Sequence, residues 1–253
     1  MSLDWGRISH VTKVDPAKPL PDDLSVLTET DLIVIGGSDG VTEANSLETL
    51  RKVRSQCPGI PLIQEPYRSG QITPDTIATA DYLAAPAVYN GDQANFVTKH
   101  VDFFTELTGT SDTITGSGLS ALGDLVASEG RNAIAKISDK ILGEGYVIQN
   151  LNSKAAQTAG VKETFTPEQV AGAALATESL YGFPIFYIEY SGTYGGTKDI
   201  TAAAKCLNET VLLYGGGIKR RTQTEEILEA GADAVVVGNC FHEDSQQYLQ
   251  TIP

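Results

Sequence analysis

Apolar residues gather in eight short runs, and each run is followed by a stretch long enough to hold a helix or a loop. The runs are HVTKVDP at 10–16, DLIVIGG at 31–37, PLIQEPY at 61–67, DYLAAPAVYN at 81–90, GYVIQN at 145–150, PIFYIEYSG at 184–192, TVLLYGGGI at 210–218 and DAVVVGN at 233–239. They are largely continuous rather than alternating, which is typical of parallel strands covered on both faces. The pattern therefore predicts eight parallel strands.

Helix signals lie between these runs. Thr166 and Pro167 place a capping residue and a proline at the first helical position, and the segments 43–56 and 222–230 also have helical patterns. Eight strands alternating with helices predict an α/β fold, a (β/α)8 TIM barrel forming one domain over residues 1–253. A doubly wound open sheet is the alternative, disfavoured because no GxGxxG follows the first strand.

Two connections depart from this regular alternation. Only thirteen residues, 68–80, join the third and fourth strands, which predicts a short or missing helix and an opening in the barrel wall. The fourth and fifth strands are joined by residues 91–144, which include the polar, glycine-rich stretch GTSDTITGSG at 109–118. This composition predicts an inserted surface loop at about 107–130.

Charge and composition exclude several classes of function. The net charge of −14, from 32 acidic and 18 basic residues, disfavours a nucleic-acid partner. The excess acid indicates either a solubilising surface or adaptation to a salty cytoplasm. No apolar run reaches the roughly 18 residues of a membrane span, and the N-terminus lacks a signal-peptide layout. We therefore expect a soluble, cytoplasmic protein without a stable membrane anchor.

Cysteine and histidine do not form a recognisable site. The three cysteines are widely spaced and the three histidines are scattered, which argues against a disulfide framework, a zinc site and a triad hydrolase. The chemistry must lie elsewhere.

Glycines end the seventh and eighth strands, at 215–217 and at Gly238 before Asn239. Active sites of TIM barrels lie at the carboxyl ends of the strands, and the last two strands often bind phosphate. Glycine lets backbone N–H groups approach an anion closely. The alternative is that the three glycines only form a tight turn, but their pairing with the eighth strand favours a phosphate site.

Polar side chains end the first, second and sixth strands. Lys13 and Asp15 share a face, so that the lysine could bind a phosphate and the aspartate could hold Mg²⁺ with Ser38; a structural ion pair is the alternative. Glu189 stands in an apolar run, where a carboxylate is costly unless paired or used. It could accept a proton from a substrate hydroxyl, with Tyr187 donating to a phosphate oxygen, or be a satisfied structural acid.

Five motifs in order, HVTKVDP, VIGGSDGVT, FYIEYSG, LYGGGIK and VVVGN, closely resemble the geranylgeranylglyceryl phosphate synthase and PcrB family of prenyltransferases. The resemblance covers nearly the whole chain except about 107–130. It implies a barrel, commonly homodimeric, that joins sn-glycerol 1-phosphate to a prenyl diphosphate with Mg²⁺, the first ether bond of archaeal membrane lipids.

The resemblance also implies the site residues. Glu189 would be the catalytic base, and Asp15 and Ser38 would hold Mg²⁺. The glycerol-phosphate pocket would be formed by Lys13, Tyr187, Ile188, Glu189, Tyr190, Ser191, Gly192, Gly217, Gly238 and Asn239. The short connection at 68–80 would leave an apolar groove for the isoprenoid, with candidate lining residues Tyr67, Tyr82, Tyr89, Phe96, Phe103 and Phe104.

Members of the family differ in their prenyl donor. The acidic, lysine-poor composition favours a salt-adapted archaeal source and hence geranylgeranyl diphosphate, with a longer heptaprenyl donor as the alternative. Two further alternatives share the phosphate loops. One is a sugar-phosphate isomerase or lyase, which would need catalytic residues at other strand ends, and the other is a non-catalytic phosphate-binding barrel, against which Glu189 argues.

Overall fold

The computed structural model describes residues 3–92, 96, 98–102, 104–105 and 137–253. Its strands are β1 (His10–Val14), β2 (Leu32–Gly36), β3 (Leu62–Glu65), β4 (Tyr82–Val88), β5 (Ile141–Ile148), β6 (Ile185–Glu189), β7 (Val211–Gly215) and β8 (Ala234–Val237). Each strand pairs in parallel with the next, and β8 pairs with β1 to close the barrel. The closed barrel confirms the predicted (β/α)8 fold and excludes the open sheet.

Helices surround the barrel in the described part of the chain. They are α1 (Glu43–Gln56), α2 (Pro74–Thr79), α3 (Lys154–Ala159), α4 (Pro167–Ala176), α5 (Lys198–Ala204), α6 (Arg221–Glu229), α7 (Asn239–Glu243) and α8 (Ser245–Leu249). Short 3-10 helices occur at Trp5–Arg7, Ser25–Glu29 and Ser69–Gln71, and Thr177–Tyr181 continues α4 as a π-helical turn. The described residues between 96 and 105 are also helical. No helix in these ranges is long and apolar enough to cross a membrane.

Side-chain caps determine where helices α1 and α4 begin. The Thr42 hydroxyl accepts from the Asn45 N–H, and the Asn45 side chain accepts from the Thr42 N–H, so α1 begins at Glu43 as predicted. Thr166 and Gln169 form the same reciprocal pair before α4, whose first residue is Pro167. These caps satisfy backbone N–H groups that have no partner within the helix.

The core has two apolar layers because side chains alternate between the two faces of each strand. One layer lies between strands and helices and includes Ile33, Ile35, Val53, Phe186, Ile188, Leu212 and Tyr214. The other lies largely inside the barrel and includes Val11, Leu32, Ile63, Ile185, Leu213 and Val236. The interior becomes polar towards the carboxyl ends of the strands, where the site lies.

The short connection between β3 and β4 contains the predicted short helix, but the strands beside it do not leave the predicted opening. It holds the six-residue α2 and one 3-10 turn, which confirms the predicted short helix. The sheet is nevertheless closed here, because Ile63 pairs with Tyr82 and Gln64 with Leu83. The predicted opening in the barrel wall is therefore wrong, because β3 and β4 pair directly.

Strand β5 begins at Ile141, four residues before the predicted start at 145. Gly143 and Gly145 interrupt the apolar run, and their missing side chains leave room for Phe183 and for Thr177. These glycines made residues 141–144 resemble the end of the preceding connection, although they belong to the strand. The predicted insertion at about 107–130 lies outside the described residues, and the single-domain interpretation of the whole chain stays a prediction.

Candidate active site

A cavity of about 530 Å³ opens at the carboxyl ends of the strands. Most of the sequence-predicted site residues line it, from Lys13 on β1 to the loop after β8. They are Lys13, Asp15, Ser38, Tyr187, Glu189, Ser191, Gly192, Gly217, Gly238 and Asn239. The fold thus brings residues more than two hundred positions apart in sequence into one site.

Ile188 and Tyr190 are the two predicted residues whose side chains do not line the cavity. Ile188 is fully buried in the layer between strands and helices. The Tyr190 hydroxyl donates to Asp199 Oδ2 at 2.6 Å. Both side chains lie on the opposite face of β6 from Glu189, as strand alternation requires, so only their backbone could serve a ligand.

Glu189 is half-buried at the end of β6, and its carboxylate accepts two side-chain hydrogen bonds. The Tyr146 hydroxyl donates to Oε2, and the Ser191 hydroxyl donates to Oε1. Ser191 adopts a φ of +37°, the one positive φ at a non-glycine among the described residues, and Gly192 follows at +81°. The strained turn folds the Ser191 hydroxyl back onto Glu189, and the two donors hold the carboxylate at the cavity wall.

Lys13 lies below Glu189 inside the barrel. Its Nζ is 2.8 Å from Glu65 Oε1, and it also faces the rings of Tyr146 and Tyr187, at 5.8 and 5.5 Å from their centroids. Burial lowers the pKa of Lys13, but the negative charges of Glu65 and Glu189 outweigh burial and hold that pKa above its usual value. Lys13 therefore stays protonated and available to an anion.

Two further acids, the half-buried Glu65 and the buried Glu144, complete this polar interior. Burial raises the pKa of Glu65, and Lys13 opposes that rise. Glu144 is 3% exposed, and its Oε2 has no hydrogen-bond partner in the described part of the chain. Burial, followed by the charge of Glu65, raises the pKa of Glu144 well above its usual range, which favours its neutral form.

Two tyrosines cover this interior on the cavity side. Tyr146 and Tyr187 are paired in register on β5 and β6, with ring centroids 4.6 Å apart. Burial, followed by the charge of Glu189, raises the pKa of both well above the usual value, so both remain donors. The Tyr187 hydroxyl occupies the position that a side chain at Gly215 would take. This contact gives the first glycine of the GGG run a packing role.

The other two glycines of the run are required by close backbone contacts. Gly217 has a φ of +57°, and a Cβ there would overlap the backbone of Tyr194. A Cβ on Gly216 would come within 2.8 Å of the Thr193 carbonyl oxygen. The tight-turn interpretation therefore holds, and the same turn presents Gly217 to the cavity.

Asp15 and Ser38 lie together on the cavity wall. Asp15 Oδ1 accepts from the Ala17 N–H at 3.0 Å, and the Asp15 N–H donates to His242 Nε2 at 3.0 Å. Burial, followed by the charge of Lys18, lowers the pKa of His242, which keeps this ring nitrogen an acceptor. Within the described ranges, no group of three or more His, Cys, Asp or Glu could hold a metal by itself.

A second, mainly apolar part of the cavity extends towards β3, β4, β5 and α3. Its lining includes Tyr67, Pro86, Val88, Phe96, Ile148, Ala155 and Ala159; we call these seven residues the apolar arm. Of the other aromatic candidates, Tyr82 packs against the barrel core, and Tyr89 hydrogen-bonds Thr177 at 2.9 Å. Phe104 is 47% exposed, and Phe103 lies outside the described residues.

Sequence reasoning missed Glu65, Glu144 and Tyr146. Glu65 ends the run PLIQE on the same face as Ile63, a position analogous to that of Glu189 on β6. Glu144 and Tyr146 lie on the inward face of β5, a pattern that is visible once the strand is taken to begin at Ile141. The alternation of side chains along each strand was thus the sequence signal that could have identified all three residues.

Comparison with known proteins decides the family. The model of the PcrB family matches residues 3–253. The chain belongs to the PcrB family. The heptaprenylglyceryl phosphate synthase of Lysinibacillus sphaericus (strain C3-41) is 32% identical over 99% of this chain and 97% of that protein. That of Bacillus pumilus (strain SAFR-032) is 34% identical over 96% and 94%.

Solved structures resemble this PcrB-family chain in fold. (S)-3-O-geranylgeranylglyceryl phosphate synthase from Thermoplasma acidophilum, in complex with its substrate sn-glycerol-1-phosphate, has a TM-score of 0.70 at 18% identity, covering 97% of this chain and 91% of that one. Wild-type GGGPS from Thermoplasma volcanium has a TM-score of 0.70 at 20% identity, covering 97% and 90%. The family expected from five motifs is confirmed, and the PcrB-family chain is an enzyme of the prenyltransferase class. A homodimer stays a prediction.

Proposed function

We propose that this enzyme joins sn-glycerol 1-phosphate to a prenyl diphosphate, forming an ether bond and releasing diphosphate. The observation that carries the proposal is one cavity with two chemically different parts. A carboxylate, an ammonium and glycine turns lie on one side, and the apolar arm lies on the other. The names of the relatives, which include a complex with sn-glycerol-1-phosphate, support the same assignment.

Glycerol phosphate is assigned to the side formed by β6, β7 and β8. Backbone N–H groups at Gly217 and Gly238 can approach a phosphate closely because no side chain stands in the way. Lys13 adds a positive charge from below, and Tyr187 adds a hydroxyl donor. The phosphate is thereby anchored while the rest of the molecule extends towards Glu189.

Glu189 is assigned as the general base. The substrate hydroxyl passes its proton to the carboxylate, and its oxygen forms a bond to the allylic carbon of the donor. The bond between that carbon and diphosphate breaks, and its electron pair leaves on the diphosphate. The hydrogen bonds from Tyr146 and Ser191 fix the direction in which Glu189 receives the proton.

Asp15 and Ser38 are assigned to Mg²⁺. One carboxylate and one hydroxyl are oxygen donors of the kind Mg²⁺ prefers, and the ion commonly completes its shell with water and substrate phosphates. The donor set therefore fits a metal that is held jointly with the diphosphate. When bound there, Mg²⁺ would supply neutralisation of the leaving-group charge.

The proposed donor is geranylgeranyl diphosphate, with its tail in the apolar arm. The cavity of about 530 Å³ must accept the glycerol phosphate, the diphosphate and the tail together, which favours the shorter of the two donors used in the family. Heptaprenyl diphosphate is the second candidate, because the relatives that are 32 and 34% identical are named for that product.

The test is product analysis with matched donors. The purified enzyme is incubated with MgCl₂, sn-glycerol 1-phosphate and fifteen-, twenty- or thirty-five-carbon prenyl diphosphates, at low and at multimolar KCl. We expect a Mg²⁺-dependent twenty-carbon ether, and higher activity at high KCl if the acidic surface reflects salt adaptation. Preference for the longest donor would overturn the donor assignment, and no ether with any donor would overturn the proposed function.

A further inference from the structure

Four charged or ionisable side chains, Glu189 among them, crowd the polar part of the barrel interior. Lys13 comes from β1, Glu65 from β3 and Glu144 from β5, and Glu189 itself ends β6. Lys13 is ion-paired with Glu65 at 2.8 Å, while the charge of Glu189 acts on both members of that pair. The lysine thus has the carboxyl groups of Glu65 and Glu189 within electrostatic range and is bonded to that of Glu65.

The groups that face Glu189 can be named strand by strand. Tyr146 and Glu144 face it from β5, Tyr187 from β6 itself, Lys13 from β1 and Glu65 from β3. Ser191 donates from the following turn, and β7 contributes Gly215 to the cavity wall. Lys13 is the ammonium in this set, so its position decides how strongly the ionised form of Glu189 is stabilised.

We propose that Glu65 is a positioning residue, which holds the Lys13 ammonium away from Glu189 so that Glu189 remains free to accept the substrate proton. The inference rests on the proposed role of Glu189 as the base. A carboxylate engaged in its own ion pair is a weaker base, and the Lys13–Glu65 bond prevents that engagement. Glu65 acts through Lys13.

Removal of the Glu65 charge should turn the Lys13 ammonium towards Glu189. In Glu65→Gln the ammonium keeps a neighbour of similar shape but loses its ionic partner, and the charge of Glu189 becomes the largest that still acts on it, ahead of that of Glu144. The new attraction stabilises the ionised form of Glu189 and makes it a weaker proton acceptor. The acid limb of the pH profile of kcat/KM should therefore move to lower pH, and the plateau should fall.

Glu144→Gln is the matched control. It makes the same chemical change in the same interior, but Glu144 does not line the cavity, and burial and the charge of Glu65 raise its pKa and so favour its neutral form. We therefore expect the Glu144→Gln profile to follow that of the unmodified enzyme. Glu65→Asp keeps the charge and should retain the position of the acid limb even if its rate is lower.

The experiment measures kcat/KM for sn-glycerol 1-phosphate against pH in the unmodified enzyme and the three variants. The expected result is an acid limb lowered by about one pH unit and a plateau lowered about tenfold in Glu65→Gln alone. An unchanged limb in Glu65→Gln, or an equal shift in Glu144→Gln, would overturn the inference. If Glu65→Gln does not fold, a shifted limb in the folded Glu65→Asp would overturn it as well. Failure of the unmodified enzyme to form any ether would instead overturn the proposed function.

Discussion

The two sides of the cavity are built on different principles. On the side of β6, β7 and β8, the wall consists of backbone turns and single polar atoms, such as Gly217 at a φ of +57° and the twice-bonded Glu189. On the side of β3, β4 and β5, the wall consists of apolar surface from the arm that includes Val88 and Ala159. Ligand binding on the first side depends on the position of individual atoms, and binding on the second depends on the volume available to an apolar chain.

This difference predicts different responses to substitution. A hydrogen bond is lost completely when its donor or acceptor is replaced, and a glycine turn with a positive φ is strained by any added side chain. Apolar contacts instead change in proportion to the area that is buried. We therefore expect large effects on catalysis and glycerol-phosphate binding from the polar side. The apolar side should show graded effects on the choice of donor.

Loss of the carboxylate should have the largest effect. Glu189→Gln keeps the shape of the side chain but removes the proton acceptor, so kcat should fall by about 10² to 10⁴ with little change in KM. Steady-state kinetics measures both constants. Retention of kcat within about a factor of two would contradict the role of Glu189 as the base.

The second-largest effect is expected in the glycine turn at 215–217, to which the phosphate is assigned. Gly217→Ala places a Cβ against the backbone of Tyr194 in a strained conformation, which should cost about 1–3 kcal/mol in the free energy of unfolding. It should also raise KM for sn-glycerol 1-phosphate about tenfold, because the turn that presents the N–H is displaced. Urea unfolding and initial rates measure the two effects.

Gly172→Ala serves as its control. Gly172 lies within α4, and a Cβ there meets no atom within 4 Å. Since alanine favours the helix by about 1 kcal/mol over glycine, this variant should be at least as stable as the unmodified protein, with unchanged KM. An equal rise of KM in both variants would show that position 217 has no special role.

A smaller, donor-specific effect is expected in the apolar arm. Ala155→Leu adds bulk to a half-buried residue of the lining, so kcat/KM for the twenty-carbon donor should fall about tenfold. KM for sn-glycerol 1-phosphate should not change. Ala78→Leu, at an exposed position on α2, is the matched control, and an equal loss in that variant would argue against the assignment of the arm.

The smallest effect lies at the opposite end of the barrel. Glu178 accepts backbone N–H bonds from Asn208, Glu209 and Thr210 just before β7, and these bonds lower its pKa to about 2. Because the folded-state pKa is depressed, the stabilisation is present above about pH 4 and is lost as the pH falls towards 2.

Glu178→Gln should therefore lower the free energy of unfolding by on the order of 1 kcal/mol at pH 7 and leave kcat unchanged. The difference in urea midpoint between variant and unmodified protein should disappear near pH 2. A difference that is independent of pH would mean that the charge of Glu178 is not the source of the stability.

The same contrast explains what could be predicted from the sequence. The fold and the polar side follow from strand-end motifs, in which alternate residues of one short run, such as Tyr187 and Glu189, share one face of a strand. The partners of these residues come from strands distant in sequence, so Glu65 and Tyr146 are identified as neighbours of Lys13 and Glu189 only when the barrel closes. Ile188 and Tyr190 show the opposite case, because the motif contains them while strand alternation turns their side chains away.

The most direct test of the two-sided cavity is a crystal structure with sn-glycerol 1-phosphate and a non-hydrolysable geranylgeranyl thiodiphosphate. We expect phosphate density against Gly217, Gly238 and Asn239, and continuous density for the isoprenoid along Tyr67, Val88 and Ala159. A prenyl chain bound outside the apolar arm, or a glycerol phosphate remote from Glu189, would contradict it.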